Sequence, residues 1–208
     1  DFKTIEFWDG NFWKQVDNTT ASGRQVLMGG HDDSARTKLI EYFSASTGGS
    51  TTEFGELFFD VWTAQGNSNE IRGIHGGGNS PSPGYSDTIS YITIASEGDA
   101  IDFGDFTQNS TGGITVTSST RGVFAIGGQG GSYVNSIEYV EIMTLGNALD
   151  FGDLSAYCSS PSSGGGNATR GLIIGGYQAP TRINTIEYLT FTTLGNTKDF
   201  GDLVQQAN

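Results

Sequence analysis

The sequence is poor in cysteine, histidine and basic residues, and each shortage excludes a class of protein. Its single cysteine, Cys158, has no partner for a disulfide within the chain, and with two histidines it cannot complete a zinc-ligand cluster. Ten basic residues stand against 23 acidic ones, and the net charge of -13 repels nucleic-acid backbones and anionic membrane surfaces. No apolar run reaches the roughly 18 residues of a membrane-spanning helix. We therefore expect no metal site, no nucleic-acid partner and no membrane insertion.

Long helices are also disfavoured. The chain has 32 glycines among 208 residues, and a glycine inside a helix costs about 1 kcal/mol relative to alanine. The glycines do not recur at every third position, which excludes a collagen-like chain. A hydrophobic content of 35% and an aromatic content of 12% are sufficient for a packed core. The composition predicts an all-β fold.

The glycines belong to a repeat of 48 or 49 residues, which three markers in the same phase define. The first marker is Phe-Gly followed by an acid, with phenylalanines at Phe54, Phe103, Phe151 and Phe200. The second begins with an isoleucine and ends with a tyrosine two residues later, at Tyr42, Tyr91, Tyr139 and Tyr188. The third is an arginine followed by an apolar run and a double glycine, at Arg24, Arg72, Arg121 and Arg170. Four copies in register exclude coincidence.

Each copy contains several short strands separated by turns. The run Val123 to Ile126 is continuously apolar, which is typical of a strand covered on both faces. Four short strands in about 48 residues is the period of a β-propeller blade. We therefore predict one propeller domain over residues 24–208, with repeats at about 24–71, 72–120, 121–169 and 170–208. Residues 1–23 are either a strand that closes the ring or a partial fifth blade, because Ile5-Glu6-Phe7 repeats the tyrosine-strand marker.

The order arginine, apolar strand, Gly-Gly, Ile-Glu-Tyr, turn and aromatic residue resembles the kelch repeat, with phenylalanine where kelch proteins usually have tryptophan. It is more similar still to the kelch-like arrays in tail fibres and other structural proteins of tailed bacteriophages, particularly marine ones. Segments 119–124 and 142–154 carry this resemblance most clearly, and it extends over about residues 20–203. The resemblance implies a kelch-like propeller of about four blades.

The periodic charged residues are predicted to be structural. An arginine that recurs once per blade can pair with the equally periodic acids or with turn carbonyls, and so form an inter-blade ring of charge-assisted hydrogen bonds. The acids concerned are Glu56, Asp105, Asp153 and Asp202. A ligand-binding arginine ring is the alternative. The acids nearly all recur with the blades, whereas a glycosidase needs a unique pair facing one cleft, so we expect no catalytic residues and no cofactor.

The residues that interrupt the repeat are the candidate binding residues. They lie in the loops that follow the double glycines, and they are Arg36, Tyr85, Tyr133, Tyr177 and Arg182. Aromatic and polar side chains in loops are suited to docking sugars or protein surfaces. The alternative is that these are ordinary variable loops without a ligand.

The phage resemblance implies a non-enzymatic virion structural protein, in a tail fibre or another surface appendage and therefore extracellular. Its expected partners are other virion proteins or a host receptor, either glycan or protein, and a homo-oligomer is compatible with this role. A lectin-like or kelch-type adaptor of cellular origin is the alternative, and a glycan hydrolase or lyase ranks third. Propellers serve all these functions, so the fold does not choose among them.

Overall fold

The computed structural model describes residues 6–8, 13–15, 23–31, 35–45, 48–82, 84–129, 132–157, 163–178 and 180–207. These residues form 19 strands and no helix, so the all-β prediction is confirmed, and no helix in the described ranges could cross a membrane. The strands are β1 Glu6–Trp8, β2 Trp13–Gln15, β3 Arg24–His31, β4 Arg36–Ser44, β5 Thr52–Val61, β6 Gln65–Ser68, β7 Arg72–Gly76, β8 Ser86–Thr93, β9 Ile101–Ser110, β10 Ile114–Thr117, β11 Arg121–Ala125, β12 Gly128–Gln129, β13 Ser132–Tyr133, β14 Ser136–Glu141, β15 Leu149–Asp153, β16 Ser163–Gly166, β17 Arg170–Gln178, β18 Thr181–Thr190 and β19 Lys198–Ala207.

The strands form four main antiparallel sheets, which follow one another along the chain. Sheet 1 is β3-β4-β5, sheet 2 is β6-β7-β8-β9, sheet 3 is β10-β11-β14-β15 and sheet 4 is β16-β17-β18-β19. Within each sheet the spatial order of the strands is their order in sequence. Two further pairs, β1-β2 and β12-β13, are separate two-stranded hairpins.

In sheets 2, 3 and 4, the first strand comes before the strand that begins at the repeat arginine. Strands β6, β10 and β16 precede the arginines in sequence, yet each pairs with the arginine-bearing strand that follows it. The end of the third repeat therefore contributes Ser163–Gly166 to sheet 4. Each complete sheet takes its first strand from the end of the preceding repeat.

Three hydrophobic cores lie between consecutive sheets. One joins sheets 1 and 2, the next joins sheets 2 and 3, and the third joins sheets 3 and 4. Strand β11 shows how one sequence serves two of them. Phe124 packs in the core with sheet 2, whereas Val123 and Ala125 on the other face pack in the core with sheet 4, because side chains alternate along a strand. All three are at most 2% exposed, as the continuous apolar run predicts.

Candidate functional site

The repeat arginines join each sheet to the next. Each guanidinium lies over the ring of the repeat tyrosine in its own sheet, at 4.2 to 4.7 Å from the ring centroid in the four sheets. In sheets 1, 2 and 3, Nη1 also donates to the carbonyl oxygen of the residue that follows the third strand of the next sheet. These donor and acceptor pairs are Arg24 to Ile94, Arg72 to Ile142 and Arg121 to Phe191. The carbonyl partner is thus one of the two that the sequence allowed for these arginines.

The Phe-Gly marker forms a second junction between neighbouring sheets. Gly146 N donates to the carbonyl oxygen of Phe103, and Ala148 N donates to that of Asp105. In return, Asp105 N donates to Asn147 Oδ1, so a short stretch of backbone in sheet 2 pairs with the Gly-Asn turn of sheet 3. The corresponding bonds join sheet 1 to sheet 2 and sheet 3 to sheet 4. Glu56, Asp105 and Asp153 therefore contribute their backbone groups to these junctions, and the Glu56 side chain also pairs with Lys38 at 2.6 Å.

Glycine is required in the Phe-Gly marker because the two backbones approach closely. A Cβ on Gly104 would lie 2.5 Å from the backbone of Gly146, and a Cβ on Gly152 would lie 2.4 Å from that of Gly195. Gly104 also has a φ of +145°, a conformation that residues with a Cβ rarely adopt. Space and conformation thus both select glycine at this position.

Two buried glutamates form a third junction. Glu138, in β14, accepts hydrogen bonds from the backbone N and the hydroxyl of Thr107 in sheet 2. Glu187, in β18, accepts a bond from Ser155 N, which follows the last strand of sheet 3. Burial raises the pKa of the Glu138 carboxyl, and the bonds from Thr107 oppose that shift. These acids have structural partners in the neighbouring sheet.

The four sheets converge on a cavity of about 1040 Å³. The first strands β6, β10 and β16 line it, together with the start of β3 and the turns that precede the repeat arginines. These first strands lie side by side: Thr115 Oγ1 donates to the carbonyl oxygen of Gly66 at 2.6 Å, and a Cβ on Gly164 would lie 2.5 Å from the carbonyl oxygen of Thr115. The cavity therefore lies where the first strands of the sheets meet.

The turns around the cavity share one construction. In sheets 2, 3 and 4, the side-chain oxygen of the residue three positions before the arginine accepts backbone N–H bonds from the residues two and three positions after it. These accepting residues are Asn69, Ser118 and Asn167. The lining combines hydroxyl groups, amides and glycine backbone with apolar side chains such as Met28, Ile71 and Val116, and its charged side chains among the described residues are Arg24 and Glu70. Such a surface is suited to a neutral ligand that has both polar and apolar faces.

The candidate loop residues lie at the other end of the strands, beside the double glycines. Arg36 begins β4 with its guanidinium carbon 5.4 Å from the centroid of the Trp62 ring, which also lies 5.1 Å from the His31 ring. Tyr133, 43% exposed, stacks on Tyr157 with their ring centroids 5.9 Å apart.

The other candidate loop residues lie in the second and fourth repeats. Tyr85 precedes β8 and bridges to Asn79, and Tyr177 lies opposite Arg182 in the β17-β18 hairpin. The structure thus distributes the five predicted binding residues over the four repeats, and within the described ranges it pairs only Tyr177 with Arg182.

Sequence reasoning missed the cavity turns and two aromatic residues. The cavity turns had a readable signal, since Asn or Ser precedes the repeat arginine by three residues in sheets 2, 3 and 4. Trp62 and Tyr157 carried a weaker signal, because each is an aromatic residue that the repeat does not contain elsewhere.

The histidines have separate environments, and the described residues contain no group of three His, Cys, Asp or Glu side chains arranged to hold a metal. Burial lowers the pKa of His75 to about 4, so its ring is neutral at pH 7, and its Nε2 has no hydrogen-bond partner among the described residues. Cys158 lies outside the described ranges. No protein-family model matches this chain, and no curated protein sequence matches it.

Proposed function

We propose that this chain is a kelch-like β-propeller module of a virion appendage, such as a tail fibre, which binds a host-surface receptor without catalysing a reaction. The observation that carries the binding role is the cavity at which all four sheets converge. A shared cavity at the first strands of successive sheets is the arrangement that a propeller axis requires. The assignment to a virion rests on the resemblance of the repeats to phage structural proteins.

The lining of the cavity favours a carbohydrate as the receptor. Sugars present hydroxyl groups that both donate and accept hydrogen bonds, and the cavity offers hydroxyls, amides and open backbone in return. Glycine in β16 leaves room for a ligand, because a Cβ on Gly165 would meet no atom within 4 Å. An acidic receptor is disfavoured by the overall charge of -13.

The acids support a role without catalysis. A hydrolytic site needs two carboxyl groups that face one cleft. The buried carboxylates Glu138 and Glu187 instead accept hydrogen bonds from the adjacent sheet, and Glu56, Asp105 and Asp153 bond through their backbone at the junctions between sheets. The two buried carboxylates thus hold the sheets together.

A glycan array tests the binding role, with Gly165→Trp as the variant that fills the cavity and Tyr133→Ala as a variant at the other end of the strands. We expect the wild-type chain and Tyr133→Ala to bind the same glycans, and Gly165→Trp to lose at least tenfold in affinity. Loss of binding in Tyr133→Ala alone would place the receptor at the double-glycine loops instead. Release of shortened glycan by the wild-type chain would contradict the non-enzymatic role.

The virion assignment needs a separate experiment. Mass spectrometry of purified particles from the source virus should detect this chain among the structural proteins. Glycan binding by a chain encoded in a cellular genome would instead support the lectin-like alternative, for which the same cavity would serve.

A further inference from the structure

We infer that the outer face of sheet 4 is a docking face for one more sheet of this repeat class, a sheet that carries the receiving residues of sheets 2, 3 and 4. The inference goes beyond receptor binding, because it concerns a surface formed by β17, β18 and β19. It rests on the three interfaces between consecutive sheets, because these show which residues pack on the same face of sheets 1, 2 and 3.

Sheet 4 has its own copies of the arginine, tyrosine, phenylalanine and glycine through which sheets 1, 2 and 3 contact the next sheet. Arg170 lies over the Tyr188 ring at 4.7 Å, and the Phe200 ring meets the same tyrosine edge-on at 6.2 Å. Gly201 has a φ of +141°, the conformation that Gly104 and Gly152 adopt where they contact the next sheet. The docking residues of sheet 4 are therefore already in the conformation that the other sheets use.

These residues of sheet 4 have no sheet packed on them among the described residues. Phe200 is 55% exposed, whereas its counterparts Phe54, Phe103 and Phe151 are 2–3% exposed. A Cβ on Gly201 would meet no atom within 4 Å. Leu203 is partly exposed, whereas its counterparts Leu57, Phe106 and Leu154 are buried. An aromatic side chain and a leucine on one open sheet face mark an interaction site.

The interfaces between consecutive sheets show which residues the partner sheet must have. The receiving sheet offers a Gly-Asx turn, whose side-chain oxygen accepts the N–H of the acid in the Phe-Gly marker. It offers a buried apolar residue after its third strand, whose carbonyl oxygen accepts from the arginine, and these residues are Ile94, Ile142 and Phe191. It also has glycine after its own arginine, where the preceding sheet lies close: a Cβ on Gly171 would lie 2.5 Å from the side chain of Val116.

Sheet 1 lacks three of these receiving features. Gln25 stands where sheets 2, 3 and 4 have glycine, Ala45 stands where they have isoleucine or phenylalanine, and Ser50 stands where they have Asp or Asn. All three residues are exposed. Sheet 1 of a second copy therefore does not match as a receiver, and the partner that fits is a different sheet with the features of sheets 2 to 4.

The experiment gives sheet 1 the receiving residues and asks whether the wild-type sheet 4 binds it. The probe is the full chain carrying Gln25→Gly, Ala45→Ile and Ser50→Asn, together with Phe200→Ser to block its own sheet 4. Because all four substitutions lie at exposed positions, we expect the probe to unfold within a few degrees of the wild-type chain. Sedimentation velocity then measures complex formation in a 1:1 mixture of probe and wild type.

We expect each chain alone to be a monomer and the mixture to contain a 1:1 heterodimer. Replacing the wild-type partner by its Phe200→Ser variant should abolish the heterodimer, and hydrogen exchange of the Asp202 amide, the counterpart of the Asp105 N–H that donates to Asn147, should slow only in the complex. Three outcomes would overturn the inference: no heterodimer, a heterodimer that survives Phe200→Ser in both chains, or wild-type self-association through an unmodified sheet 1. Slow exchange of the Asp202 amide in the isolated wild-type monomer would overturn it too, because another part of the chain would then cover the face.

Discussion

Arg72 donates a hydrogen bond of 3.0 Å from Nη1 to the carbonyl oxygen of Ile142, a residue 70 positions further along the chain and in the next sheet. The same guanidinium lies over the ring of Tyr91 in its own sheet, at 4.4 Å. The ring holds the arginine in place while the carbonyl fixes the neighbouring sheet. This relationship recurs at each of the three junctions, and it makes several stability differences predictable.

The first prediction compares Arg72→Ala with Arg170→Ala. Both changes remove an arginine stacked on a tyrosine, but within the described part of the chain only Arg72 has the inter-sheet hydrogen bond. Because hydrogen bonds that involve a charged group contribute about 1.5–3 kcal/mol, we expect Arg72→Ala to lower the free energy of unfolding by about that much more than Arg170→Ala. Urea unfolding followed by tryptophan fluorescence measures both values. Equal losses would show that the inter-sheet bond contributes nothing.

The second prediction concerns the close approach at the Phe-Gly marker. Gly104 and Gly201 have nearly the same φ, +145° and +141°, so an alanine at either position carries the same backbone strain. Only at Gly104 would the added Cβ meet backbone, 2.5 Å away. We expect Gly104→Ala to cost about 1–3 kcal/mol more than Gly201→Ala in thermal or chemical unfolding. If Gly201→Ala were the more damaging change, the described contact between sheets 2 and 3 would be wrong.

The third prediction compares two phenylalanines that occupy equivalent positions. Phe103 is 2% exposed between sheets 2 and 3, and Phe200 is 55% exposed on sheet 4. Truncation of a buried phenylalanine to alanine costs about 3–5 kcal/mol, so Phe103→Ala should destabilise the chain by about that amount. Phe200→Ala should cost about 1 kcal/mol, because its ring is already half in water. Differential scanning calorimetry distinguishes the two, and a similar loss for both would indicate that sheet 4 is covered in solution.

The fourth prediction is a pH dependence due to His75. Its pKa is lowered to about 4 by burial, whereas the unfolded chain has a histidine pKa of about 6.5. Between these values the unfolded state binds more protons, so the contribution of His75 to stability is complete above pH 6.5 and is lost as the pH falls towards 4.

The variant His75→Leu removes this contribution. The free energy of unfolding of the wild type should fall relative to that of His75→Leu by up to about 1.4 kcal/mol per pH unit as the pH falls through this window. Urea unfolding at pH 7, 6, 5 and 4.5 measures the difference. The buried Glu138, whose raised pKa has the opposite effect, is common to both chains and cancels. Parallel pH profiles for the two chains would contradict the burial of a neutral His75.

Local patterns in the sequence revealed much of this organisation. The strand Arg121–Ala125 follows from its continuous apolar run, and the phase of the four sheets follows from the spacing of Phe54, Phe103 and Phe151. The structural role of the repeat arginines also follows from their periodicity. These features depend on short segments, in which the alternation of side chains or a required turn is visible directly in the sequence.

Contacts between segments about 40 to 70 residues apart were decided only in the tertiary structure. The sequence does not show that Asp105 pairs through its backbone with Asn147, or that Gly164 of β16 lies against the carbonyl oxygen of Thr115 in β10. The cavity likewise exists only because the first strands of successive sheets lie side by side, and its lining groups are ordinary turn residues when taken one at a time.

The repeat itself was therefore determined by the sequence, because glycine, arginine and aromatic residues recur wherever the backbone requires them. The packing of one repeat on the next was decided only in the tertiary structure. Identical residues are buried or exposed according to whether a sheet follows, as Phe151 and Phe200 show. Burial depends on neighbours distant in sequence, and no local pattern distinguishes these two phenylalanines.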